Sequence, residues 1–226
     1  MGDFYADHKS RVQTYREIVE AMVGAVESGL TVCGAFYGHV GFFAWAPHQT
    51  VKILRQKGYQ AHLEAGVSAL DCLVADLSLD PGEYGCLALE TTQFLFYQHV
   101  INPHCMVVLW QIGLTGDYEF KGQQLDCNHR GLAILTEQLL TYYPSKHEVI
   151  LYEAPVLAIE KARTEVIALV DLPSAKVSVI TTLVIPSIGL APFNRQMLAR
   201  FGIDEQQLLT NLDGIASKPL DKCSIK

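Results

Sequence analysis

Charged residues are scarce in this 226-residue chain: Asp, Glu, Lys and Arg make up 18% of it, against 50% apolar residues. A chain so short of charge buries a core, which excludes intrinsic disorder. The basic sign is the scarcer one, 17 residues against 24 acidic, for a formal net charge of −7. Phosphate binding rewards clustered Lys and Arg, so nucleic acid is not an expected partner. Long hydrophobic runs are lacking too. No stretch of 18 apolar residues occurs, so neither a membrane-spanning helix nor a membrane partner is expected. The opening MGDFYADHKSR contains no apolar core segment and does not read as a secretory signal, which makes the cytoplasm the expected location. Cysteine pairs are missing: Cys33, Cys72, Cys86, Cys105, Cys127 and Cys223 are widely spread without a CxxC, so reduced thiols and no metal site are expected. Neither GxGxxG nor GxxxxGK[ST] is present, which excludes the dinucleotide fingerprint and the P-loop. There is no internal repeat or low-complexity stretch.

What is present is an alternation of short apolar runs and amphipathic segments. From Ser10 to Ser28, Val12, Tyr15, Ile18, Val19, Met22, Val23 and Val26 recur at helical spacing, and Gly29 supplies a stop. Leu30–Phe36 reads as a buried strand that opens into Tyr37-Gly38-His39-Val40-Gly41. Pro47 introduces a helix to about Lys57, Tyr59–Glu64 reads as a second strand, and Ser68 caps a helix ending before Pro81. Cys86–Glu90 and the continuous run Cys105–Ile112 read as strands, His129–Tyr143 as a helix, and Val149–Tyr152 and Val177–Ile185 as strands. Residues 194–213 read as one or two short polar helices. This order predicts an α/β protein whose first sheet is mostly parallel and whose second is mixed. Turn-forming residues in HVINPH predict two lobes joined near 96–104, residues 1–100 and 101–226.

In open α/β sheets ligands bind beyond the carboxyl ends of strands. YGHVG and EAGVSAL occupy that position here, and their glycines let a ligand approach the backbone closely; a plain tight turn fits the same residues. His39 can serve as an acid or base, or simply bond the local backbone. Arg11 and Tyr15 lie four apart on one helix face, with Tyr5 nearby. The trio can stabilise developing negative charge, or be a solvated Arg beside a packed Tyr. Trp110, Gln111, Thr181 and Thr182 put polar groups at the ends of apolar strands, where they can face a ligand or satisfy the sheet. Residues alone yield a ligand-binding α/β protein without a reaction.

FYADHKSRVQTY, FYGHVGFF, GYQAHLEAGVSALDCLVADLSLDP, GCLALETTQFL, VVLWQIG and VITTLVIP, taken in order, span nearly the whole chain. Together they resemble the borosin-type peptide-backbone α-N-methyltransferases of the tetrapyrrole-methylase superfamily; the stretch Gly58–Pro81 is the most specific. The resemblance implies a two-lobed tetrapyrrole-methylase-like fold, S-adenosylmethionine as cofactor, a precursor peptide as substrate, and an intertwined homodimer. It assigns Tyr37, Gly38, His39, Ser68, Ala69, Gln111 and Thr182 to the cofactor. Tyr5, Arg11 and Tyr15 fall on the family's catalytic cluster. There a Tyr phenolate would take the amide proton, and Arg11 would lower the pKa of that phenol from its usual value near ~10 and hold the amide oxygen.

The chain departs from the family pattern at several points. Val40 replaces the proline of YGHPG, Leu70 an acidic residue, and Gly2 a further tyrosine. Family members also begin with a strand, a Gly-containing loop, a helix and a strand that precede the segment matching Met1. Loss of that first strand is expected to expose apolar neighbours and unpaired backbone. No fused precursor peptide is visible in Leu220–Lys226, so a separate peptide is expected. Two alternatives accompany this reading: a methylase of tetrapyrroles or another small molecule, and an inactive binding or scaffold homologue.

Overall fold

The computed structural model describes residue 4 and residues 9–117, 129–155 and 159–216, the last six without their side chains. The chain divides into two compact units, 1–188 and 189–226. In the first unit, five strands among the described residues form one sheet. They are β1 (Cys86–Glu90), β2 (Met106–Trp110), β3 (Glu148–Glu153), β4 (Arg163–Ala168) and β5 (Thr182–Ile185), in the order β1-β2-β5-β3-β4. β1 and β2 are parallel; the β2–β5, β5–β3 and β3–β4 pairs are antiparallel.

Side-chain alternation explains why the central strands read as unbroken apolar runs. On β2, Val107 and Leu109 point to one face with Leu183, Ile185, Val149 and Leu151, under Leu132, Leu135 and Leu139 of α6 (His129–Leu139). Met106, Val108 and Trp110 point to the other face with Tyr152 and Val184, against Leu73 of α3 (Ala69–Leu77). A strand covered on both faces needs apolar side chains at every position, and all five β2 residues are buried. A third cluster joins α1 (Arg11–Glu27) to α2 (Trp45–Gln56) through Ile18, Val19, Met22, Val23, Ala46 and Leu54.

Several boundaries differ from expectation. Leu30–Phe36 and Tyr59–Glu64 carry no ladder, and Leu30, Val32 and Tyr59 are exposed. Their composition suits strands, but a strand exists only where a neighbouring strand pairs with its backbone, and these segments form no such ladder among the described residues. The expected strand Val177–Ile185 shortens to β5, because residues 178–181 close into a turn with Thr181 N–H donating to Ser178 O. Besides short 3-10 turns at Ile112–Leu114 and Leu169–Ser174, β4, α4 and α5 went unforeseen. β4 is a half-exposed edge strand. α4 (Pro81–Tyr84) is a single turn capped by Asp80. α5 (Thr91–Phe96) is capped by the Glu90 side chain. The second unit holds α7 (Arg195–Phe201) and α8 (Glu205–Ala216), tied by an Arg195–Glu205 ion pair. These are the expected terminal helices.

Candidate functional site

Strand direction gathers polar residues at one end of the sheet. β5 and β4 run opposite to β1, β2 and β3, so Glu90, Trp110 and Glu153, which end their strands, lie at the same edge as Thr182 and Arg163, which begin theirs. Two sequence-named loops reach one another nearby. A Cβ added at Gly66 would meet Gly38 O at 3.2 Å and His39 Cα at 3.4 Å, so this approach of the 37–41 loop to the 66–68 turn is close enough to favour glycine at 66. Gly38 itself has φ +72°, in the left-handed region. Tyr37 is 81% exposed.

Part of each loop's polarity is already engaged. His39 Nδ1 accepts the Gly41 N–H at 2.9 Å, leaving Nε2 as the free ring nitrogen among the described residues. His48 Nε2 bonds Gly41 O at 2.8 Å and pins the same loop to α2. Ser68, buried, is the N-cap of α3: it accepts Asp71 N–H at 3.2 Å, and its own N–H donates to Asp71 Oδ2 at 2.6 Å. Its hydroxyl also donates to Asp71 Oδ2, and these bonds, with a smaller contribution from His39, hold the Asp71 carboxyl below the usual aspartate range. What Ser68 and Ala69 offer a ligand is therefore a fixed backbone rather than a free hydroxyl.

Phe42 and Phe43 carry the 37–41 loop onto the end of β2. Their rings lie 5.7 and 5.8 Å from that of Trp110, in edge and tilted geometry. Backbone strain collects at this junction: Phe43 has φ +53° and Gln111 φ +59°, two non-glycine residues in the left-handed region. Trp110 Nε1–H is buried with no hydrogen-bond partner among the described residues. Gln111 is then linked to the start of β5 by Ile112 N–H, which donates to Thr181 O at 3.0 Å. Contacts thus run from Gly38–His39 to Gly66–Val67, from Phe42–Phe43 to Trp110, and from Ile112, next to Gln111, to Thr181.

Of the expected catalytic trio, Arg11 and Tyr15 are not joined to this group by side-chain hydrogen bonds among the described residues. Tyr5, like Gly2, lies outside the described residues. Arg11 is the first residue of α1, behind the Ser10 cap, and neither its side chain nor that of Tyr15 forms a hydrogen bond or ion pair among the described residues. Tyr15 packs on the α1–α2 cluster. Beside α2, a broad cavity of about 600 Å³ is lined in part by His48, Lys52, Arg55 and His62, and by none of the sequence-named site residues. The sequence reading missed Glu153 and the Phe42–Phe43 pair. A carboxylate ending the apolar run VILYE was the available signal for Glu153.

No family model matches the chain. Curated relatives do. The chain is 32% identical over 203 residues, 88% of its length, to a methyltransferase/ribosomally synthesised type I borosin cyclic peptide precursor of Gymnopilus junonius. It is 34% identical over 210 residues to another such type I precursor from Coprinopsis marcescibilis, covering 90% of the chain. To the methyltransferase/omphalotin A precursor of Omphalotus olearius it is 39% identical over 154 residues, covering 68% of the chain. The chain belongs to the borosin methyltransferase family. It spans 47%, 54% and 36% of those relatives' own lengths. Among solved structures, a uroporphyrin-III-C-methyltransferase from Thermus thermophilus matches with a TM-score of 0.55 at 17% identity, over 75% of this chain and 70% of that one. The methyltransferase CobJ matches at 0.54 and 14% identity, over 84% and 76%. At such identities the likeness concerns the fold, that of the tetrapyrrole methylases, as expected for a borosin methyltransferase homologue.

Proposed function

We propose that this chain carries out S-adenosylmethionine-dependent N-methylation of backbone amides in a precursor peptide. The reading is supported by the close approach of the 37–41 loop to the 66–68 turn and by the Ile112–Thr181 link between the residues next to Gln111 and Thr182, in a chain whose relatives are named as methyltransferases joined to cyclic-peptide precursors. The residues fit such a cofactor: the orphaned Trp110 Nε1–H is a donor awaiting an acceptor, and the left-handed Gln111 belongs to the strain that clusters at ligand sites. When bound, S-adenosylmethionine would supply an electrophilic methyl group. The chain's own task is to make a poor nucleophile react. In this reading Tyr5 or Tyr15 takes the proton from the amide nitrogen, and the Arg11 guanidinium holds the amide oxygen as negative charge grows there. The loops at 37–41 and 66–68 keep the two reactants aligned, which provides much of the rate. A separate precursor peptide, a homodimer, a cytoplasmic location and a two-lobed division at 96–104 belong to the same proposal. No helix among the described residues is long and apolar enough to cross a membrane.

The test combines calorimetry with mass spectrometry. The wild-type chain should bind S-adenosylhomocysteine and, with cofactor, add methylene increments to the backbone of a precursor peptide. Arg11→Ala should abolish the increments and leave S-adenosylhomocysteine binding unchanged. Folded wild-type protein that fails to bind S-adenosylhomocysteine would sink the reading. It would favour the binding or scaffold alternative, for which the unladdered segments 30–36 and 59–64 speak.

A further inference from the structure

Glu153 ends β3 at the edge that carries Gln111 and Thr182, and its side chain is only 17% exposed. Its Oε1 accepts three donors: Arg163 Nη1 at 2.8 Å, Ser178 Oγ at 2.9 Å, and Thr181 Oγ1. Burial works against the carboxylate's charge, yet those three donors outweigh it and hold its pKa below the usual glutamate value. Arg163 faces Glu153 across the β3–β4 ladder and is itself held by Glu165 Oε2 at 2.8 Å and Lys176 O at 2.6 Å.

Thr181 is fully buried and uses every polar atom this arrangement leaves it. Its hydroxyl donates to Glu153 and accepts Ser178 N–H at 2.7 Å, while its carbonyl accepts Ile112 N–H at 3.0 Å. The 112–114 turn lies hard against the 178–181 turn: a Cβ on Gly113 would sit 2.2 Å from Ser178 O. Gln111 precedes one of these anchors and Thr182 follows the other. A left-handed backbone at a residue such as Gln111 persists only where its surroundings hold it. Here the hold passes from Glu153 to Thr181 and on to Ile112.

We propose that Glu153 is a positioning residue for the ligand-facing wall formed by Gln111 and Thr182, acting through Thr181. The inference rests on the reading of this sheet end as an S-adenosylmethionine site. An ion pair that only stabilises the sheet edge would change melting and leave the affinity of folded protein alone; a positioning residue changes affinity.

The experiment is calorimetric titration of the whole chain with S-adenosylhomocysteine, alongside thermal melting of each variant. Glu153→Gln keeps the shape and removes the charge, and is expected to weaken binding about tenfold in folded protein. Glu148→Gln, at the opposite end of β3, should bind as wild type does. Because Glu153→Gln can fail to fold, Thr181→Ser and Thr181→Val provide a second comparison. The serine keeps the hydroxyl and the affinity, whereas the valine should weaken binding by about the same tenfold. If wild type binds and folded Glu153→Gln and Thr181→Val bind equally well, the proposal is wrong and the site reading stands. If folded wild type does not bind at all, the site reading itself falls and takes the proposal with it.

Discussion

Gly113 shows how much one residue can settle. Its sequence context, VVLWQIG, says only that an apolar strand ends near a glycine. In the fold, its α-carbon faces the Ser178 carbonyl so closely that an alanine Cβ would lie 2.2 Å from Ser178 O and 2.7 Å from Ser178 C. Both are backbone atoms, so relief requires moving one turn away from the other. Gly113→Ala is expected to lower stability by about 1–3 kcal/mol, seen as a lower urea midpoint with an unchanged slope. An unchanged midpoint would mean that the two turns separate freely. Glu153 belongs to the same scale. Its identity as an acidic residue was plain, but its three donors come from residues 10, 25 and 28 positions away. Long-range pairing of this kind leaves no local pattern to read.

Among the elements, α3 is the one whose start was most legible. Ser68 reads as its cap, and the structure adds the reciprocal bond from Asp71 that completes a capping box. Ser68→Ala should cost about 1 kcal/mol at neutral pH, measured by denaturant unfolding. The Asp71 contribution carries a sign that can be checked. Its folded pKa lies below its ordinary value of 3.8, so the carboxylate stabilises the fold above that value. That stabilisation is lost as pH falls through the folded pKa. The stability gap between wild type and Asp71→Asn should therefore be widest near neutrality and close in acid. A gap that stays constant down to strongly acidic pH would contradict the cap as described. α5 was less legible, because Thr91 and Thr92 look like a continued strand. The chain turns helical there because Glu90 caps it and Thr91 Oγ1 donates to Trp110 O at 2.6 Å. β4 was missed for a different reason: an edge strand with Thr164, Glu165 and Val166 exposed lacks the apolar weight of a buried one.

For the molecule as a whole, ligand binding and folding are linked. If the sheet end takes S-adenosylhomocysteine, ligand at about a hundred times its Kd should add about 2.7 kcal/mol, raising Tm by roughly 5–10 °C for a protein of this size. A Tm independent of ligand concentration would count against any native-state site for it. Family membership, the helices α1, α2, α3 and α6, and the strands β1, β2 and β3 were readable in the sequence alone. Their signals are local: helical spacing, a capping serine, unbroken apolar runs. The sequence also marked Tyr37–His39, Ser68, Gln111 and Thr182, through motif order rather than contact. Only tertiary structure decided which of them meet, because strand direction, more than sequence distance, brings the ends of β2 and β3 beside the start of β5. It also decided that Leu30–Phe36 and Tyr59–Glu64, strand-like in composition, run without ladders. Strand propensity belongs to a segment, but the hydrogen bonds that make a strand belong to its neighbour.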